Sequence, residues 1–270
     1  MSVTPRDRHA TAGSTRPRRR AGLLAALVLA VVSAVLLSGC GDSTEPGQST
    51  TPQGRLPRGD EVVHLDPADF TTRIDNPYLP LAPGSRWLYK DVEGGEVHQV
   101  VVTVTPQTKV IDGVTARVVH DIERRGTETV EDTHDWFAQD RAGNVWYLGE
   151  ATQEYKNGRP ASTKGSWEAG VAGAQAGIAM PAHPRPGLVY RQEYREGTAE
   201  DAAAVLSVHE QVQAPQGHYT GALLTKEFTP LEPRAVEYKL YARGVGLVLA
   251  VGVSGDASRQ ELLRFKKGGG

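Results

Sequence analysis

Through most of this chain hydrophobic residues recur at every second position, in short runs cut by turn residues. Val100, Val102 and Val104 mark one face of a stretch whose other positions are Val101, Thr103 and Thr105. After an Asp112-Gly113 turn, Val114, Ala116, Val118 and Ile122 alternate with Thr115, Arg117, Asp121 and Glu123. Period two places one set of side chains on each face of a strand, so the second stretch predicts a strand buried on one side. From Asp135 to Gly149, two apolar runs (Trp136-Phe137-Ala138 and Val145-Trp146-Tyr147-Leu148) flank Asp140-Arg141-Ala142-Gly143-Asn144, the pattern of a β-hairpin. Helical periodicity is scarce, which predicts an all-β, antiparallel fold. Roughly ten to twelve strands are too many for one flat open sheet, so a curved sheet is expected, as a half-barrel or a sandwich.

The pattern is used twice. Pro83-Gly84 opens a unit that runs through the hairpin to residue 149, and Pro186-Gly187 opens a second that runs to residue 252. Leu206 and Val208 echo Val102 and Val104, Gln216-Gly217 falls where Asp112-Gly113 fell, and Tyr241 to Val248 supplies the second hairpin. The sequence therefore predicts two similar β units, 83–149 and 186–252, joined by a connector over 150–185. That connector is dense in Gly, Ala and Pro yet carries Trp167, Ile178 and Met180. It reads as an irregular crossover, and long irregular loops in compact domains tend to be functional. Ahead of the first unit, Asp66-Pro67-Ala68-Asp69-Phe70 predicts a short helix with an aspartate cap, and Glu261 to Phe265 predicts a final strand.

The amino terminus follows another logic. Six arginines precede an apolar run from Ala21 to Leu37, which ends in Leu37-Ser38-Gly39-Cys40. A basic start, an apolar core and small residues at the cut describe a secretory signal, expected over 1–39. The run, about 17 residues, is at the lower limit for spanning a bilayer. Leu-Ser-Gly-Cys resembles the lipobox of bacterial lipoproteins. The resemblance implies cleavage between Gly39 and Cys40 and a diacylglycerol (with further acylation of the freed amine) on Cys40. Residues 40–59, rich in Ser, Thr, Pro, Gly and Gln, predict a flexible tether, and the β domain is expected over 60–270.

Removing the signal alters the charge. The chain has 30 Lys+Arg against 32 Asp+Glu, and the signal takes six arginines and one aspartate, leaving 24 against 31, a net charge of −7. A mildly acidic domain on a membrane is not a nucleic-acid binder, and its anchorage falls to the lipid rather than to basic residues. Cys40 is the single cysteine, so no intramolecular disulfide supports the fold.

Candidate chemistry is sparse. His120-Asp121 and His134-Asp135 are neighbours in strands and point to opposite faces, so neither pair chelates one metal. Asp132 and His134 share a face, but two ligands do not make a zinc site, and no metal or cofactor is expected. His120 keeps register with the apolar positions and reads as a core or edge histidine. Asp140 to Asn144 lacks the spaced acids of a calcium loop. Glu193, Glu196, Glu200 and Asp201 read as a solvated strand end. No HExxH, GxSxG or CxxC occurs beyond the signal.

Taken together, IDNPYLPLAPGSRWLY, AQDRAGNVWYLGE, GSWEAGVAGAQAGIAMPAHPRPG, QEYREGTAED and KLYARGVGLVLAV resemble a family of exported proteins of actinobacteria and their relatives, over roughly Phe70 to Phe265. The resemblance implies location and architecture and brings no reaction, cofactor or catalytic residue. The aromatic hairpins are also similar to those of β-rich envelope lipoproteins, half-barrel lipid carriers among them, a likeness of fold alone. The expected role is that of a lipid-anchored extracytoplasmic protein that binds an apolar or amphiphilic ligand or an envelope partner. Trp167 and Met180 are expected to form a lid over an apolar groove beside Trp136 and Trp146. The alternative is a cell-envelope hydrolase, which clustering of His120, His134 or His183 with acids would favour.

Overall fold

The structure, a computed structural model, describes residues 55–254 and 257–269. A 3₁₀ turn, Pro67–Asp69, is capped by Asp66, whose Oδ1 accepts from Ala68 N at 2.9 Å. It stands where the short helix was expected and leads into β1 (Phe70–Thr71). A five-strand meander follows: β2 (Arg86–Glu93), β3 (Glu96–Ile111), β4 (Val114–Arg125), β5 (Glu128–Asp140) and β6 (Val145–Lys156). Asp112 and Gly113 both have positive φ, 46° and 79°, which is what a two-residue hairpin needs to match the twist of β3 and β4.

The free edge of β6 is covered by β7 (Arg159–Ser162), β8 (Trp167–Glu168) and β9 (Gln175–Met180). The stretch expected to be an irregular connector thus contains three short strands. Its Gly and Ala residues carry no hydrophobic alternation to read, and at Gly177 the approach of the Gln192 backbone leaves no room for a side chain.

A second meander comprises β10 (Val189–Arg191), β12 (Ala202–Ala214), β13 (Gly217–Phe228), β14 (Val236–Ala242) and β15 (Gly246–Ser254). Between its first two strands lies β11 (Glu193–Tyr194), and after it β16 (Ser258–Lys266). Neighbours pair in the order β10-β12-β13-β14-β15 here and β2-β3-β4-β5-β6 in the first meander, so both halves have the same antiparallel order. β16 joins them, pairing with β15 through Leu249↔Glu261 and with β2 through Glu261↔Lys90.

The sheet nearly closes on itself. β10 pairs with β12 at one end of the path and β11 pairs with β9 at the other, and Gln192 alone separates β10 from β11. Closure brings backbone against backbone at Gly177, where a Cβ would lie 2.3 Å from both the carbonyl carbon and oxygen of Gln192. The result is a barrel-like all-β fold of a single twisted sheet.

Two sequence expectations change. The last residues of the expected tether are engaged: Arg191 N donates to Pro57 O at 2.8 Å, and its guanidinium reaches Gly59 O and Glu61 O at 2.9 and 2.7 Å. A buried arginine there recruits backbone carbonyls, a signal that low-hydrophobicity composition does not carry. In addition, β4 is buried on both faces from Ala116 to Val119, with Arg117 and Val119 covered along with Val118.

Candidate functional site

Alternation along paired strands defines the inner face of the barrel. From one end to the other, inner residues change from apolar to polar at one level. On β2 the inner series runs Trp87, Tyr89, Asp91, Glu93, and Tyr89 pairs with Val100 of β3. On β4 it runs Val119, Asp121, Glu123; on β5, Phe137, Asp135, Thr133, Glu131; the pairs Val119↔Asp135, Asp121↔Thr133 and Glu123↔Glu131 keep these positions together. A register shift at Gly149 carries the inner face of β6 from Tyr147 to Glu150, Thr152 and Glu154. β14 gives Tyr241, Lys239 and Glu237.

At the polar level the barrel encloses a cavity of about 320 Å³, lined by eight successive strands from β14 round to β6. Nine carboxylates and two lysines, Lys164 and Lys239, contribute to its wall, with Val100, Tyr147, Leu247 and Ala250 as its less polar part. Lys239 is committed: its Nζ lies 2.5 Å from Glu227 Oε2 and 3.2 Å from Glu237 Oε2.

Two of these acids, Asp135 and Glu150, resist ionisation, because burial removes hydration and neighbouring charges repel. Burial raises the Asp135 carboxyl to about 6, opposed by the hydrogen bond from Tyr147. Burial and then Asp135 raise Glu150 to about 8. The Tyr147 hydroxyl lies 2.6 Å from Asp135 Oδ1 and 2.9 Å from Glu150 Oε2. One hydroxyl has one proton to donate, so both contacts are hydrogen bonds when Glu150 is protonated and Asp135 ionised, the order their proton affinities give. Deeper in, Trp167 Nε1 donates to Glu193 Oε2 at 2.8 Å. Burial, followed by the charge of Asp201, drives the Glu193 carboxyl well above the usual range, and burial raises Asp201 to about 7.

The four apolar residues expected around a groove are separated. Trp167 is on the inner side, edge-on to Tyr147 at 5.3 Å and 3 % exposed. Trp136 is on the outer face, where Lys109 Nζ stands 3.5 Å over its ring and bonds Glu168 at 2.6 Å. Trp146 is held by Asp140 Oδ2 at 2.8 Å and by the edge of Phe70. Met180, fully buried, faces Val145 across β6 and β9. None of them lines the cavity, and the lid over an apolar groove is replaced by wall and core packing around a polar interior. Gly39 and Cys40 lie outside the described residues.

The carboxylates went unrecognised in the sequence because alternating acids read as a solvated outer face. The usable signal was Glu131-x-Thr133-x-Asp135 beside Glu150-x-Thr152-x-Glu154, the same polar triplet on two adjacent strands. The three histidines singled out in the sequence are elsewhere, whereas His98 of β3 pairs with Glu123 of the cavity wall. His120 and His134 lie on the outer face as a cross-strand pair, next to Asp132, and His183 is exposed after β9. The clustering of histidines with an acid that would favour a hydrolase therefore occurs at His120, Asp132 and His134 on the outer face.

Among known proteins, no family model matches the chain. Over 64 residues, 23 % of its length, it is 45 % identical to proteins named "Putative lipoprotein LpqV" in Mycobacterium bovis and Mycobacterium tuberculosis. The match takes in 45 % of those proteins, so the chain spans about half the length of the curated relatives it matches. Two solved structures align with 70 % of the chain. One is a "putative exported protein with YmcC-like fold" from Bacteroides fragilis (TM-score 0.41, 15 % identity, 99 % of that chain), the other a "putative lipoprotein" from Parabacteroides distasonis (0.38, 12 %, 98 %).

Proposed function

We propose that this protein is a membrane-anchored extracytoplasmic lipoprotein whose barrel interior holds a small amphiphilic cation. The anchor is the lipid on Cys40, supported by the Leu-Ser-Gly-Cys sequence and by the name of the mycobacterial relatives. The observation that carries the ligand is the pair of buried carboxyls in the cavity wall, Asp135 and Glu150, bridged by the Tyr147 hydroxyl. A positive group entering this space replaces repulsion by attraction in a region of low dielectric. Tyr147, Val100 and Leu247 offer a less polar patch for the rest of a small ligand, and a cation over the Tyr147 ring gains further. At about 320 Å³ the space matches a small organic ligand and not the acyl chains of a phospholipid.

The test is calorimetric titration of the full-length protein in detergent with an alkylammonium, an alkanol and an alkanoate of equal chain length. The ammonium compound should bind, the other two weakly or not at all, and Glu150→Gln should weaken it. Equal binding of all three, or of none, contradicts the reading.

A second reading, a carboxylate-dependent hydrolase, is favoured by one arrangement. Tyr147 bridges Asp135 and Glu150, whose proton affinities differ, as an acid and a base require. Turnover of cell-wall glycans that disappears in Glu150→Gln would establish it.

A further inference from the structure

The outer face of β4 and β5 assembles three ligand-bearing side chains that their order in the sequence keeps apart. His120 and His134 are direct cross-strand partners, and Ile122↔Asp132 sets Asp132 two positions along on the same face. The imidazole rings stack at 4.2 Å and 17°. His120 Nε2 lies 2.9 Å from Asp132 Oδ1, His134 Nδ1 lies 3.6 Å from the same oxygen, and one ligand atom from each residue falls within 4.8 Å of the others.

We infer that His120, Asp132 and His134 form a binding site for one divalent first-row transition-metal ion. Two imidazoles and a carboxylate are a donor set such ions accept, and bonds of about 2.0–2.1 Å place tetrahedral ligand atoms about 3.3 Å apart. The present separations bracket that value, so side-chain rotation alone closes the site while the β4–β5 ladder holds the backbone. The flanking positions do not compete: Thr103 is opposite His120 on β3, and Ala151 and Gln153 are opposite His134 and Asp132 on β6. No lysine or arginine stands at these cross-strand positions. The three side chains are 28 %, 30 % and 43 % exposed, which leaves the remaining coordination positions to water.

The site is independent of the cavity. His120 and Asp132 alternate in their strands with Asp121 and Thr133, which line the interior, so the two lie on opposite faces of one sheet. A purely structural reading, a His–Asp hydrogen bond on a stacked pair of rings, needs no metal and predicts no affinity.

Zn²⁺ titrated into the full-length protein in detergent should bind with one ion per chain. His134→Ala and Asp132→Asn should each weaken it by about tenfold or more, as loss of a ligand does, with the far-ultraviolet spectrum unchanged. Cu²⁺ at the same site should show two equivalent nitrogens by electron paramagnetic resonance. Glu150→Gln, which alters the cavity alone, should leave both results intact. Absence of stoichiometric binding overturns the inference, as does Zn²⁺ affinity that survives both variants or is lost in Glu150→Gln.

Discussion

The Tyr147 hydroxyl sits 2.6 Å from Asp135 Oδ1, closing a hydrogen bond inside the barrel between neighbouring strands β6 and β5. Glu150 meets the same hydroxyl at 2.9 Å. The three groups make the fold sensitive to pH. Asp135 and Glu150 bind protons more tightly folded than unfolded, at about 6 against 3.8 and about 8 against 4.5. The folded state then holds more protons across that range, so stability falls as pH rises through it. Thermal unfolding followed by circular dichroism should show the melting temperature dropping from about pH 5 to about pH 8, with Glu150→Gln flattening the upper part. A melting temperature that climbs over this interval would show that these carboxyls are ionised in the folded protein.

Trp167 tests the inner wall. Its indole donates to Glu193 and packs on Tyr147, away from the surface. Trp167→Phe leaves the Glu193 oxygen without this donor and should cost about 1–3 kcal/mol in urea unfolding. Phospholipid vesicles should leave the Trp167 contribution to fluorescence unchanged, since no lipid fits the neighbouring cavity. A lipid-dependent shift carried by Trp167 would restore the apolar-groove picture.

Barrel closure rests on a missing side chain. A methyl group at Gly177 meets the Gln192 carbonyl at 2.3 Å, contact with backbone that cannot rotate away. Gly177→Ala should destabilise the fold by about 1–3 kcal/mol, the usual cost of overpacking. An unaltered urea midpoint would mean that β9 and the β10–β11 junction can part freely.

The proposed anchor is the lipid on Cys40. Wild-type protein should partition into detergent, and Cys40→Ser should accumulate as uncleaved precursor, because lipobox processing requires the lipidated cysteine. Wild-type protein that stays in the aqueous phase would refute the lipoprotein assignment.

The all-β, antiparallel strand pattern was legible because hairpin turns such as Asp112-Gly113 and alternating valines act locally. The interior was not. Alternation separates Asp121 and Glu123 from His120 and Ile122, yet says nothing about which set a closing sheet turns inward. A polar set normally faces solvent, so the acids looked like surface, and Trp136 looked like lining when it belongs to the outer face. The metal-ligand triad was hidden for a related reason. His120 and His134 are fourteen residues apart, and only the β4–β5 register makes them partners. Strand β9 was missed because Gly177 sits against the backbone of Gln192, where no side chain fits, and this leaves no periodic trace.

The central claim is that the carboxylate-lined interior accepts a cation, and protons report on it most directly. At about pH 7 Glu150, with its pKa of about 8, is mostly protonated, and a bound positive charge must lower its proton affinity. Titrating the full-length protein with an alkylammonium ligand, by calorimetry in two buffers of different ionisation enthalpy, counts the protons exchanged. Net proton release that is lost in Glu150→Gln is the predicted result; binding with no exchange, or with proton uptake, would contradict it.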